Sequence, residues 1–300
     1  MIGRKELPAK FAEWNEKWGA PFGYQGNRDF REGREPDGSL RLASRAPASP
    51  EVGPFGFQPN SSTRIYEYPW AFFTAELEPG MRTLDIGGGI SGFQFVLAKQ
   101  GCAVTNVDPT ARADYNLWSD PGFVSLNAEQ HAMVNRVMGT DVQLIPERIQ
   151  DADLEPRSFD RVFCLSVLEH VEPDEAHQML ASVADALRPG GRALVTVDLF
   201  LDLRPFGVLT RNRWGINMNV GALIEGSGLR FVYGDPRELL GTPEFDFDRV
   251  VALLPELLIG ASYPVMTQTL VLEKASLSGH GGPSSGPCRR SADRGRTHLA

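Results

Sequence analysis

The sequence predicts an α/β fold, a doubly wound and mostly parallel sheet of seven strands with helices on both faces. Three observations predict it. Short apolar strands alternate with helix-length segments from Arg82 to Val197. A glycine-rich turn, Asp85-Ile86-Gly87-Gly88-Gly89-Ile90-Ser91-Gly92, joins the first strand to the helix after it. An acidic residue, Asp108, closes the second strand. Such alternation implies βαβ units and a parallel sheet covered on both faces.

The elements follow in order. Residues 1–60 read as an N-terminal extension, with one helix over Pro8–Trp18 and then turn residues, without apolar periodicity, to Gln58. Arg64–Leu77 mixes aromatics with helix formers and is closed by Pro79-Gly80. Strands are expected at Arg82–Ile86, Ala103–Val107, Val142–Ile145, Arg161–Leu165 and Arg192–Val197, with helices at Ser91–Lys99, Asn127–Met138 and Pro173–Leu187 between them. After Asp198 the rhythm changes. A long connection, Leu199–Met218, leads to a helix near Val220–Ser227 and a strand at Leu229–Tyr233. An insertion over 234–262 carries an amphipathic run, Phe247–Leu258, and Val265–Leu272 is the last strand. The main domain is thus expected over 61–275, and the Ser, Gly, Pro and Arg of 276–300 read as a disordered tail.

Composition narrows the function. Thirty basic against 38 acidic side chains leave a net charge of −8, so no basic field invites phosphate backbones, and nucleic acid is not the expected partner. The three cysteines, Cys102, Cys164 and Cys288, show no metal-ligand spacing and read as reduced thiols. Residues 1–14 lack a signal-like apolar stretch, and Val250–Ala261 is too short and interrupted to span a bilayer. These features set the expectation of a cytoplasmic protein with no membrane partner.

The glycine turn is the first chemical signal. Gly87, Gly89 and Gly92 spell GxGxxG, which suits the close approach of a nucleotide-type cofactor. Asp108, 21 residues after Gly87, can hold ribose hydroxyls. Asp85 beside the loop disfavours a pyrophosphate and suits an ammonium group. An NAD-dependent oxidoreductase therefore stays open as the less favoured alternative.

Two later blocks decide the resemblance. Ser158-Phe159-Asp160-Arg161-Val162-Phe163-Cys164-Leu165-Ser166-Val167-Leu168-Glu169-His170-Val171 resembles the fourth strand and following turn of class I S-adenosylmethionine-dependent methyltransferases, and Leu187-Arg188-Pro189-Gly190-Gly191-Arg192 resembles the turn before their fifth strand. With the glycine loop these blocks keep the order and spacing of that family over roughly residues 64–200. The resemblance implies a Rossmann-like methyltransferase fold with S-adenosylmethionine as cofactor. It places Gly87, Gly88 and Gly89 beneath the methionine part, Asp85 toward its ammonium and Asp108 at the ribose. Pro109 and Ile149 fall to the adenine, and Leu165 and Ser166 lie near the sulfonium. The chain departs from the pattern at Arg148, where the family places an acid for the adenine amino group; Gln150 or Asp151 could replace it. The third glycine, Gly92, also stands one residue later than usual.

The turn after the fourth strand lacks Asn-Pro-Pro-Tyr, which weighs against nucleobase and glutamine N-methylation. The acidic balance and aromatic flanks favour a small organic acceptor, methylated at a hydroxyl. A hydroxyl needs a base near neutrality, and His170 follows the fourth strand at the carboxyl edge of the sheet. His131, on a helix face, is expected to be solvated. Relatives that bind a metal carry Glu-x-x-Glu-His here, but Ser166 replaces the first glutamate, so no metal site is assigned. Tyr66, Tyr68, Trp70, Phe72 and Phe73 read as a lid or, more simply, as core. Phe206 and Trp214 are candidate pocket linings. A domain that binds S-adenosylmethionine without turnover is the remaining alternative.

Overall fold

The computed structural model describes residues 1–31, 50–58, 60–111, 128–261 and 263–276. The predicted tail lies almost wholly outside these residues, as does Cys288.

Seven strands form one sheet: β1 (Arg82–Ile86), β2 (Ala103–Val107), β3 (Gln143–Ile145), β4 (Phe159–Leu165), β5 (Leu187–Phe200), β6 (Arg230–Tyr233) and β7 (Val265–Glu273). Their order is β3-β2-β1-β4-β5-β7-β6. All neighbouring pairs from β3 to β5 are parallel, and β7 runs antiparallel to both β5 and β6. The order reverses between β1 and β4, and ligands of open α/β sheets bind at the carboxyl ends of the strands at such a point.

The central strands bury side chains on both faces because helices cover both. Phe163, Leu165 and Leu194 join one core cluster, whereas Leu84, Ile86, Val162, Cys164 and Val195 join another. The helix Gly92–Lys99 shares the first cluster, and Pro173–Ala186 the second.

Two expectations change, and a third point, left between lid and core, is decided. The stretch after Trp18 is not merely a series of turns. It holds a second helix, Gly23–Arg31, and 3-10 turns at Pro50–Val52 and Pro54–Phe57. Single-residue periodicity misses such pieces because their burial is supplied by distant elements. Phe55 and Phe57 enter the first core cluster, and Phe55 meets Trp14 at 5.8 Å and Tyr68 at 5.1 Å between ring centroids. Second, β5 is much longer than Arg192–Val197. Leu187 pairs with Phe159, the chain shifts register through Arg188–Gly191, and pairing resumes at Arg192 with Arg161. The turn motif therefore lies inside the strand as an irregularity, with Gly190 at φ +76°. Third, the aromatic run forms the helix Arg64–Thr74, whose Tyr66, Tyr68 and Trp70 are buried. Tyr68 stacks on Phe93 at 5.5 Å, so this helix packs as core beside the glycine loop.

The insertion contributes the helix Phe247–Leu253, capped by Asp246, whose carboxylate accepts from the Arg249 amide at 2.9 Å. Its Val250 is buried with Ile2, Leu199, Leu257 and Met266. Ile2 also bridges Gln268 of β7, so the first residues of the chain meet the middle of the sheet.

Candidate active site at the carboxyl edge of the sheet

The loop after β1 turns through Gly87 at φ +65° and Gly89 at φ +56°, a region that side chains other than glycine rarely adopt. Gly88 is required by space. A Cβ there would lie 2.5 Å from Asp85 Oδ2. Polar groups beneath hold the loop open: Asn106 Nδ2 and Gln94 Nε2 donate to the Gly89 carbonyl at 2.9 and 3.0 Å. From above, Gln58 Oε1 accepts from the Ile90 amide at 2.8 Å.

Asp108 stands at the end of β2, buried. Its Oδ2 accepts from the Gly89 amide at 2.6 Å, and its Oδ1 accepts from the Thr110 amide and hydroxyl at 2.8 and 2.6 Å. Burial raises its pKa despite these bonds. Asp85 is also buried, and its Oδ2 makes no hydrogen bond. Burial, with the Asp108 charge next, pushes Asp85 up to about 8. An ammonium group beside it would supply the missing partner. The orphaned carboxylate and the glycine cradle thus fit the methionine end of S-adenosylmethionine.

A second polar group lies across the switch point. Ser166, just past β4, has φ +49°, a strained geometry for a side chain that is not glycine. Its hydroxyl accepts from the Arg64 guanidinium at 2.6 Å and lies 2.8 Å from Glu67 Oε2 and 3.2 Å from Asp198 Oδ1. Glu67 pairs with Arg64 and accepts from Thr196 Oγ1 at 2.8 Å. Thr267 Oγ1 of β7 lies 3.0 Å from both Glu67 Oε1 and Asp198 Oδ1. Burial works against the Glu67 anion, but Arg64 and the hydroxyls of Thr63, Thr196 and Ser166 outweigh it and hold its pKa below the ordinary value. Asp198 goes the other way, pushed well up by burial and then by Glu169 and Glu67. Glu169 is fully buried, neither carboxyl oxygen makes a hydrogen bond, and burial raises it to about 7. His170 donates from Nδ1 to the Trp214 carbonyl, and its Nε2 lies 3.9 Å from Glu169 Oε1. Burial lowers the His170 pKa.

Comparison with known proteins bears on this geometry. Residues 84–195 match the family described as methyltransferase domain. Those residues carry a methyltransferase domain. Over 136 residues it is 29% identical to the mitochondrial ubiquinone biosynthesis O-methyltransferase of Schizosaccharomyces pombe, covering 45% of this chain and 44% of that protein. Over 118 residues it is 33% identical to the ubiquinone biosynthesis O-methyltransferase of Xylella fastidiosa, covering 39% and 42% respectively. The chain therefore spans less than half the length of these curated relatives. Among solved structures, a 1,6-didemethyltoxoflavin-N1-methyltransferase from Burkholderia thailandensis is 16% identical with a TM-score of 0.47, over 92% of this chain and 95% of that one.

Within this methyltransferase domain the structure brings Asp85, Gly87–Gly89 and Asp108 together at one edge, with Leu165 and Ser166 across the switch point. Pro109 is half-buried just after Asp108, and Ile149 is buried with Ile86 and Val107. Arg148 points outward and pairs with Asp151 at 3.3 Å and Glu175 at 3.5 Å. That engagement leaves half-buried Gln150 as the better-placed substitute for the missing acid. His131 is not solvated. It is 3% exposed, bonds Gln94 Oε1 at 2.9 Å and packs on the Phe95 ring, because its helix turns that face to the core. Trp214 reaches the polar cluster's wall, stacked on Tyr263 at 5.0 Å, whereas Phe206 packs away from it against Phe247 at 5.3 Å. Among the described residues, no group of three or more His, Cys, Asp and Glu is arranged to hold a metal, and no helix is long and apolar enough to cross a membrane.

Glu67 and Arg64 are the functional-site residues that sequence reasoning missed. The signal was present as a charged pair three residues apart inside an aromatic helix. Such a pair on the buried face demands partners there, which solvent would otherwise supply.

Proposed function

We propose that this protein transfers the methyl group of S-adenosylmethionine to a hydroxyl of a small organic acceptor, with His170 as the base. One observation carries the reading: a buried aspartate with an unbonded Oδ2, beside a glycine cradle, shares the carboxyl edge of the sheet with a half-buried histidine just past β4. Asp85 would pair with the cofactor's ammonium, the Gly87–Gly89 backbone would lie beneath its methionine part, and Asp108 would hold its ribose. Pro109 and Ile149 would flank the adenine, with Leu165 and Ser166 beside the sulfonium. When bound, the cofactor supplies a methyl group activated by a sulfonium and open to in-line displacement.

The chain's own contribution is alignment, dryness and proton removal. With Nδ1–H donated to the Trp214 carbonyl, the neutral ring of His170 carries its basic lone pair on Nε2, the atom that would take the acceptor's proton. His170 Nε2 would take up the hydroxyl proton as the acceptor oxygen is methylated. The net charge of −8 and the likeness to ubiquinone biosynthesis O-methyltransferases support a small hydroxyl-bearing acceptor.

The test is His170→Ala. Turnover should fall by about 10²–10⁴-fold, the share of a general base, while cofactor affinity measured by calorimetry is unchanged. Because burial lowers the histidine's pKa, wild-type activity should decline only as pH falls below 6.5, and the variant should lose that limb. A fully active variant sinks the assignment, and activity abolished by EDTA and restored by Mg²⁺ would recast His170 as a ligand.

A further inference from the structure

Resting on the reading that this domain methylates a small acceptor, we propose that Glu169 and Asp198, backed by Glu67, form a subsite for a protonated amine carried by that acceptor. Charge balance is the first ground. Glu67, Glu169 and Asp198 are all buried near Ser166, and two basic groups among the described residues reach them: Arg64, and half-buried His170, whose Nε2 lies 3.9 Å from Glu169 Oε1 and whose pKa burial lowers. Arg64 is committed to Glu67 and the Ser166 hydroxyl. Asp198 is left with two hydroxyls, those of Ser166 and Thr267.

Glu169 is the second and independent ground. It is wholly buried and neither carboxyl oxygen has a well-formed hydrogen bond; only the backbone at Glu169 and Asp198, which favours its anion weakly, and His170 Nε2 at 3.9 Å stand near it. Burying an unpartnered carboxyl costs free energy, so its persistence points to a partner supplied from outside the chain. The position is built. The Ile216 amide donates to the Glu169 carbonyl at 3.0 Å, and a Cβ on Gly215 would lie 2.1 Å from that same oxygen. Burial raises Glu169 to about 7 and Asp198 well above the ordinary carboxyl range, a penalty on both anions that an ammonium beside them would relieve.

The cofactor's own charges do not account for the cluster. Its ammonium already has Asp85. Its sulfonium loses its charge as the methyl leaves, so carboxylates placed for it would stabilise the ground state more than the transition state and oppose transfer. An amine elsewhere on the acceptor keeps its charge throughout. Pairing with it anchors the substrate without raising the barrier.

Tyramine and its uncharged counterpart tyrosol test this directly. Each is titrated into the full chain, with and without S-adenosylhomocysteine. Tyramine should bind roughly ten- to hundredfold tighter than tyrosol, the ratio expected of a charge-assisted bond. Glu169→Gln should erase most of that ratio while leaving S-adenosylhomocysteine affinity and melting temperature near wild type. Asp198→Asn provides the same readout if the first variant does not fold. Equal binding of the two probes to wild type, or an undiminished ratio in both variants, overturns the proposal. Displacement of tyramine by Mg²⁺ also overturns it, by making the site a metal's. Failure of S-adenosylhomocysteine to bind would instead overturn the methyltransferase reading, while the amine ratio without cofactor still decides the subsite.

Discussion

Asp85 holds its proton up to about pH 8 because burial, with Asp108 beside it, disfavours the anion. A carboxyl whose folded pKa lies above its unfolded value stabilises the fold below the unfolded pKa, near 4, and loses that contribution as pH rises through 8. Asp85→Asn should therefore gain in melting temperature relative to wild type as pH rises from 5 to 8, a trend that thermal scans would detect. The same group couples to the cofactor. If its anion is the form that meets the ammonium, S-adenosylhomocysteine affinity should rise between pH 6 and 8, by at most about tenfold per unit, and stay flat in Asp85→Asn. A flat wild-type profile would remove Asp85 from the ammonium. Asp108 is tested more simply. Asp108→Ala should weaken S-adenosylhomocysteine binding by about 1.5–3 kcal/mol, the range for hydrogen bonds to a charged group, as read by calorimetry.

At the scale of elements, the glycine loop depends on neighbours far away in sequence. Gly92 opens its helix directly beneath the 3-10 turn Pro54–Phe57, and a Cβ there would lie 2.6 Å from Phe55 Cγ and 2.7 Å from the Pro54 carbonyl carbon. Gly92→Ala should cost about 1–3 kcal/mol by overpacking, measured by equilibrium denaturation. A neutral result would show that the turn lifts freely from the loop. The GxGxxG spacing was legible in the sequence, but the need for its last glycine arises from packing against Pro54 and Phe55. The irregular passage through Arg188–Gly191 was equally hidden. Its turn residues read as a break, while the register on both sides keeps it in one strand.

For the whole molecule, the first residues and the sheet share a core. Phe11 and Trp14 are buried with Phe55, Phe93 and Phe163, and Ile2 is buried with Leu199 and Met266. Trp14→Ala should cost about 3–5 kcal/mol and lower the melting temperature by roughly ten degrees. A change within a degree or two would mean that the N-terminal helix is dispensable to the fold. A stretch read as an extension because it lacks periodicity therefore supplies buried aromatic surface. Periodicity reports burial against one flat partner, and these residues are buried against several.

By itself the sequence determined the alternation of strands and helices, the glycine loop, and the acid at the end of β2. All of these are local: they follow from the spacing of apolar residues and from the backbone freedom that glycine gives. It also placed His170 just past β4, because one strand and one turn separate it from the motif around Phe163. Only the tertiary structure decided that Glu67, from a helix ahead of the sheet, meets Ser166, Thr196 and Thr267 from three different strands and their ends, with Asp198 joined to it through Ser166 and Thr267. Those contacts join residues up to 200 positions apart, so no local pattern marks them. The same folding that buried the carboxyls also moved their proton affinities, since a group's charge preference is set by the solvent and neighbours that remain around it.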